Sequence, residues 1–261
     1  MNWDRVRAIA TKEWIEVKAN RMIVLGMAAL PLIMVGITLV TAKLLADAGG
    51  GDLGLEEFVV PERLSHLTAK DAFIVLMNDQ YILYLWLIPT LLPVSVAAYS
   101  IVGEKRERSL EPLLSSPVTT RELLVGKALT AIFVPTILGW ASYGAVALGT
   151  WGLCNGAIAL EVVRPIWLVG TICLTPLLAL LGTTSAMMIS TRATDVRSAQ
   201  SIAGLGVLPI VGIASWVLVG QVYLTLNFVL VALIVILGVN LVLIRLTEKL
   251  FDREQILTRW K

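Results

Sequence analysis

Residues 103–127 read GEKRERSLEPLLSSPVTTRELLVGK, a long charged interval enclosed between strongly apolar segments. On a helical spacing, Leu110, Leu113, Leu114 and Pro117 fall at i, i+3, i+4 and i+7 and form one apolar face. Glu104, Glu107 and Glu111 fall at i, i+3 and i+7 on another face, with Arg108 beside them. Pro112 sits inside that pattern. A proline there removes an N–H and crowds the turn before it, so two short helical pieces are expected rather than one rod, and Pro117 ends them. Thr119 followed three residues later by Glu122 is a capping box, which starts a new helix leading into the next apolar run. A compact amphipathic element, tied at both ends to membrane helices, is suited to receive force from a partner.

The flanking chain has the composition of a membrane protein. Of its 261 residues, 57% are hydrophobic and only 15% charged, and the mean hydropathy of +0.83 lies far above a soluble balance. The net charge of +2 says less than its distribution. The two cysteines, Cys154 and Cys173, lie in or beside apolar runs and point to neither a disulfide framework nor a metal site. The first 14 residues carry charges too densely for a cleavable signal peptide, so the first span is expected to stay. A bilayer core takes about 20 apolar residues per helix. Charge-free intervals then give six spans, 22–42, 81–102, 128–151, 166–190, 200–220 and 225–244, in one all-α transmembrane domain covering 1–261.

Lysine and arginine set the expected orientation. The segment before the first span has five, the 103–127 interval five, Arg192 and Arg197 lie between spans four and five, and the tail 245–261 has five. The other side has only Lys43, Arg63, Lys70 and Arg164, which puts both termini in the cytoplasm. Residues 2–20 read as an interfacial amphipathic helix. Trp3, Val6, Ala10, Trp14 and Val17 share a stripe, and Arg5, Lys12, Glu16 and Lys18 lie around the rest. The segment 43–80 is then external and carries seven acids, read as a solvated face, and Thr68 with Asp71 caps a short helix through Met77. Tyr81, Tyr84, Trp151, Trp167, Trp216 and Tyr223 are expected to form an aromatic belt at the outer interface. The tail reads as a cytoplasmic helix with Leu246, Leu250, Leu257 and Trp260 in one stripe.

What the spans lack narrows the function. No charged residue or histidine lies deep in them, whereas ion- or proton-coupled carriers need such a group near the midplane. The single histidine, His66, is external, and no nucleophile–base pair or ligand cluster can be assembled. No G-x-x-x-x-G-K-[ST] occurs, since Gly126-Lys127 is followed by Ala128. What the spans do have is Pro31, Pro89, Pro93, Pro135, Pro176 and Pro209, which loosen helices, and Gly182, Ala186 and Ser190 at a spacing that suits close helix contact.

Taken together, six spans, an N-terminal interfacial helix and EKRERSLEPLLSSPVT after span two resemble the membrane subunit of type-2 ATP-binding-cassette transporters. Arg108 and Ser109 stand where many members have glycine and threonine. The resemblance implies a permease subunit of an exporter that works as a homo- or heterodimer in the cell membrane. It is driven by separate cytoplasmic ATPase subunits that hold ATP and Mg, and the chain itself binds no cofactor. Glu104, Glu107, Arg108, Leu110, Glu111, Leu113, Leu114 and Pro117 would form the coupling helix against the ATPase. Spans two and five would line the path, with Thr90, Ser95, Ser201 and Ser215 as candidate lining residues. The alternatives are a mechanical subunit acting on an extracytoplasmic partner through 43–80, or a passive channel. No nucleic-acid partner is expected.

Overall fold

The computed structural model describes residues 1–48, 58–106, 118–190, 198, 200–205, 208, 212 and 225–250. No strand occurs among them, and several of the longer helices start where the sequence supplies a side-chain partner for their free N–H groups. In α1 (Trp3–Ala19), the Asn2 side chain accepts from the Asp4 N–H at 3.0 Å. Asn20 ends α1 and caps α2 (Arg21–Asp47) by accepting from the Ile23 N–H at 3.2 Å. A 3-10 turn at Glu62–Leu64 precedes α3 (Ala69–Arg106). The Thr68 hydroxyl accepts from the Asp71 N–H at 3.1 Å as expected, but the helix does not stop at Met77. It runs on as the second span, because no glycine or proline intervenes before Pro89.

The capping box at Thr119 opens α4 (Thr120–Leu153), which is followed by α5 (Gly156–Val162) and α6 (Pro165–Val169). A π turn at Gly170–Leu174 joins α6 to α7 (Thr175–Ser190), and α8 (Leu226–Leu250) follows. Pro176 accounts for the π turn. It has no N–H to donate to the turn before it, and the wider register relieves the clash of its ring. Among the described residues, five stretches are long and apolar enough to cross a membrane: Arg21–Asp47, Ala69–Val94, Thr120–Leu153, Pro165–Ser190 and Leu226–Leu250. Of the expected span 200–220, only 200–205, 208 and 212 are described, and they are helical. The rest of it, and the tail from Phe251 on, lie outside the described residues.

α3, α4 and α6–α7 form the centre, and α2 and α8 lean on them with most of their surface outward. The main core gathers Ile82, Leu85, Ile88 and Leu92 of α3, Leu123 and Val146 of α4, and Leu174, Leu178 and Met187 of α7. At the end opposite α1, a smaller core packs Leu64 and Ala42 on Ala72, Ile74 and Val75. The end that holds α1 and the start of α4 is called basal below, the other distal. Gly182 lets α7 approach α3 closely, since a Cβ there would run into the Thr90 carbonyl of α3.

Three expectations change. Trp167 is no belt residue: it is buried against Trp86, ring centroids 5.2 Å apart, while Trp151 is exposed and Trp216 and Tyr223 lie outside the described residues. The acids of 43–80 are not all solvated, because Asp79 sits between two arginines. On α1 the buried stripe is Val6, Glu13 and Val17, with Trp3 outside it.

Candidate functional site

The charged interval is flanked by two described elements, α3 ending at Arg106 and α4 starting at Thr120. Glu107, Arg108, Leu110, Glu111, Leu113, Leu114 and Pro117 lie outside the described residues, and Glu104 belongs to α3 by its backbone alone. The interval's C-terminal footing is well defined. Glu122 Oε2 accepts from the Thr119 N–H at 2.9 Å, and Thr119 Oγ1 accepts from the Glu122 N–H at 3.3 Å, which completes the capping box. The other carboxylate oxygen reaches the start of the chain: Oε1 accepts from the Asn2 N–H at 2.6 Å, while the Arg5 guanidinium lies 3.8 Å from Oε2. One side chain thus fastens the first turn of α4 to the first turn of α1.

Further along, Lys127 pairs with Glu13 at 2.6 Å, the two side chains only 1% and 4% exposed. At an effective dielectric near 20 the attraction at this distance is about 6 kcal/mol. Desolvating both ions costs several kcal/mol each, so the intact pair is near balance and the half-pair is what the fold cannot tolerate. The Thr130 hydroxyl donates to the Ala10 carbonyl at 3.0 Å, and Trp14 meets Phe133 edge-on at 6.4 Å. Gly126 allows the approach between them, since a Cβ there would lie 2.7 Å from the Ile9 side chain. Contacts advance together from Asn2–Glu122 to Trp14–Phe133, so α1 and α4 run side by side in the same direction for about three turns. Arg121 adds α8 to this basal junction through Glu248 at 3.2 Å.

Distally, Thr171 is a second junction. Its hydroxyl accepts from Trp86 Nε1 at 2.9 Å, and its carbonyl accepts from Trp140 Nε1 at 3.0 Å. In an i→i+5 register the donor to that carbonyl would be Pro176, which has no N–H, and the indole of α4 takes its place. Gly170 leaves room for the Trp86 ring, which a Cβ would strike. The Tyr143 hydroxyl donates to the Val162 carbonyl at 2.8 Å. Asp79 accepts from Arg63 at 2.6 Å and from Arg164 at 3.0 Å, and Glu161 lies 2.8 Å from Arg164. Cys154, at the end of α4, has its thiol pKa raised by burial and is a packing group rather than a nucleophile.

The candidate path residues separate. Thr90 is fully buried between α3 and α7, and its hydroxyl has no hydrogen-bond partner. Ser201 is exposed, Ser95 lies in α3 with its side chain outside the description, and Ser215 lies outside the described residues. Thr183 and Thr184 donate back to the Ala179 and Leu180 carbonyls, at 2.8 and 2.9 Å. Sequence reasoning missed Glu13 as a partner for Lys127. The available signal was its position: an acid on the face that carries Val6 and Val17. Thr171 carried no comparable signal, because both its donors come from other helices.

Residues 7–247 match the family model described as ABC-2 family transporter protein. This chain belongs to that family. No curated protein matches it. As an ABC-2 permease it is the membrane component of an ATP-binding-cassette transporter, a class that works with a separate ATPase subunit and is generally non-catalytic itself. The match covers the charged interval, the Lys127–Glu13 pair and the distal junction, while Asn2, Arg5 and Glu248 of the basal junction fall just outside it.

Proposed function

We propose that this ABC-2 permease is half of a dimeric exporter in the cell membrane, with its basal end in the cytoplasm. Its ATPase subunit docks on residues 104–117. Glu104, Glu107 and Glu111 pair with bases of that subunit, Arg108 pairs with an acid, and Leu110, Leu113 and Leu114 enter an apolar groove up to Pro117. ATP and Mg belong to the ATPase. The path runs along spans two and five, with Ser95, Ser201 and Ser215 toward it. Thr90, buried against α7, is a packing residue in this reading.

One observation carries the proposal: the chain leaving the charged interval is fastened at once, by Glu122 to Asn2 and by Lys127 to Glu13. A loop that only anchored span two by its positive charge would need no such footing, whereas an element that delivers force does. A role on an extracytoplasmic partner through the acids of 43–80 is less well supported. Asp79 is engaged by Arg63 and Arg164, and Asp47 by Lys43 at 2.9 Å.

The test is Glu111→Lys combined with Leu114→Asp. Loss of the co-purifying ATPase subunit, with the membrane protein still folded and assembled, is expected. Survival of both partner binding and ATPase activity would refute the coupling assignment.

A further inference from the structure

The prolines of the central helices, and one of α2, come to a single depth. Pro89 and Thr175 both abut Gly139, where a Cβ would lie 3.2 and 2.8 Å from their side chains. Pro93 is one turn basal of Pro89, Pro135 one turn basal of Gly139, and Pro176 adjoins Thr175. Leu39 of α2 packs on Gly149 of α4 and Cys154 meets the Ala42 carbonyl, so the two helices run the same way. Pro31, eight residues basal of Leu39, therefore comes level with position 141, beside Gly139. The result is a slab about two turns, or ~10 Å, deep. In the slab and within a turn of it, the carbonyls of Met27, Leu85, Pro89, Ala131 and Ile172 lack their usual i+4 donors, since each donor position is a proline.

Polar ties gather basally of this slab and from its distal edge outward, where Trp140 adjoins Gly139. Distally, α2, α3, α4 and α6 are fastened by Lys70 to the Ala46 carbonyl at 2.6 Å, Asp79 to Arg164, Trp86 and Trp140 to Thr171, and Tyr143 to Val162. Basally, α1, α4 and α8 are fastened by Glu122 to Asn2, Lys127 to Glu13 and Arg121 to Glu248. Among the described residues, no side-chain hydrogen bond or ion pair joins α2, α3 and α4 to one another within the slab. Asn240, which donates to the Leu177 carbonyl at 3.0 Å, ties α8 to α7 there. Bending is easiest where the hydrogen-bond ladder is broken and no cross-tie opposes it.

We propose that this slab is a shared hinge: the basal halves of α3 and α4 swing about it during the ATP cycle, while the distal halves stay one body nailed at Thr171. This rests on the reading that an ATPase drives residues 104–117. The arm of α3 from Val94 to Arg106 is ~20 Å long, so a bend of about 15° carries its end about 5 Å.

The experiment uses the complex with its ATPase subunit in lipid nanodiscs, spin-labelled in a Cys154→Ala, Cys173→Ser background. One label pair, Leu44→Cys with Leu160→Cys, is distal to the slab. The other, Trp3→Cys with Leu160→Cys, crosses it, since Trp3 lies beside the Asn2–Glu122 contact well basal of the slab. All three sites are exposed. Between nucleotide-free and vanadate-trapped complexes, the distal pair should hold to about 1 Å and the crossing pair should shift by about 3–5 Å. In Pro89→Ala/Pro93→Ala the crossing shift should fall by at least half with nucleotide still trapped. Pro135→Ala carries the same expectation, at smaller amplitude, if the double variant does not assemble. A distal pair that shifts as much as the crossing pair overturns the hinge, as does a trapped complex with no crossing shift or one whose shift ignores the proline changes. A chain that recruits no ATPase subunit fails earlier, and it takes down the functional reading together with the hinge.

Discussion

Removing one member of the Lys127–Glu13 pair should be far worse than removing both. In Lys127→Met, Glu13 remains in a site where its side chain is 4% exposed, facing a thioether instead of an ammonium 2.6 Å away. Stripping the partner from a buried charge costs about 3–5 kcal/mol. Here the lower part of that range applies, because Lys12 lies 3.8 Å from the same carboxylate oxygen and supplies some positive charge. Glu13→Leu should cost about as much, since it takes the paired carboxylate from the ammonium of a lysine that is itself 1% exposed. The double variant Glu13→Leu/Lys127→Met replaces two ions by apolar groups of similar size, and it should lie within about 1 kcal/mol of the wild type or above it. For a chain of this size, 1 kcal/mol corresponds to roughly 2–4 °C, so each single change should lower the unfolding midpoint by roughly 6–14 °C. Scanning fluorimetry of the purified protein in one detergent gives all four midpoints. The reasoning fails if the double variant melts as low as the single ones, or if the single changes are silent.

Three further outcomes follow from the same packing. Gly182→Ala should destabilise by about 1–3 kcal/mol or more, because the new methyl meets the Thr90 backbone carbonyl, which cannot rotate away. Gly36→Ala, with open space around it, should be neutral or gain up to about 1 kcal/mol, and equal midpoints for the two variants would refute the contact. Thr171→Val leaves the buried Trp86 Nε1–H without an acceptor and should cost about 1–3 kcal/mol, while Thr171→Ser restores the midpoint. Thr90→Val deletes a buried hydroxyl that has no partner, so stability should hold or rise and the ATPase rate of the assembled complex should not change. A selective loss of substrate-stimulated ATPase activity would instead return Thr90 to the path.

Much of the helical frame was legible in the chain because its signals are local. Charge-free runs of about 20 residues mark the spans, since a buried backbone in lipid has no other partners. The Thr119–Glu122 box and the Thr68–Asp71 cap were readable because both partners sit three residues apart. The extent of α3 was misjudged for a related reason: acids at its distal end look solvated, yet Asp79 finds arginines 16 residues earlier and 85 residues later. Trp167 misled in the same way, because an aromatic near a span end reads as interfacial until Trp86 of another helix covers it.

Sequence alone therefore determined the all-helical membrane class, the caps, the proline positions and the charged interval, all of which depend on neighbours within about one turn. Tertiary structure decided what those features touch. It brought Glu13 to Lys127 across 114 positions, gave Glu122 a second partner in Asn2, and set two indoles on Thr171. The physical reason is that helix formation is encoded by near neighbours, whereas the pairing of a buried polar group depends on which helix packs beside it. That choice belongs to the bundle as a whole.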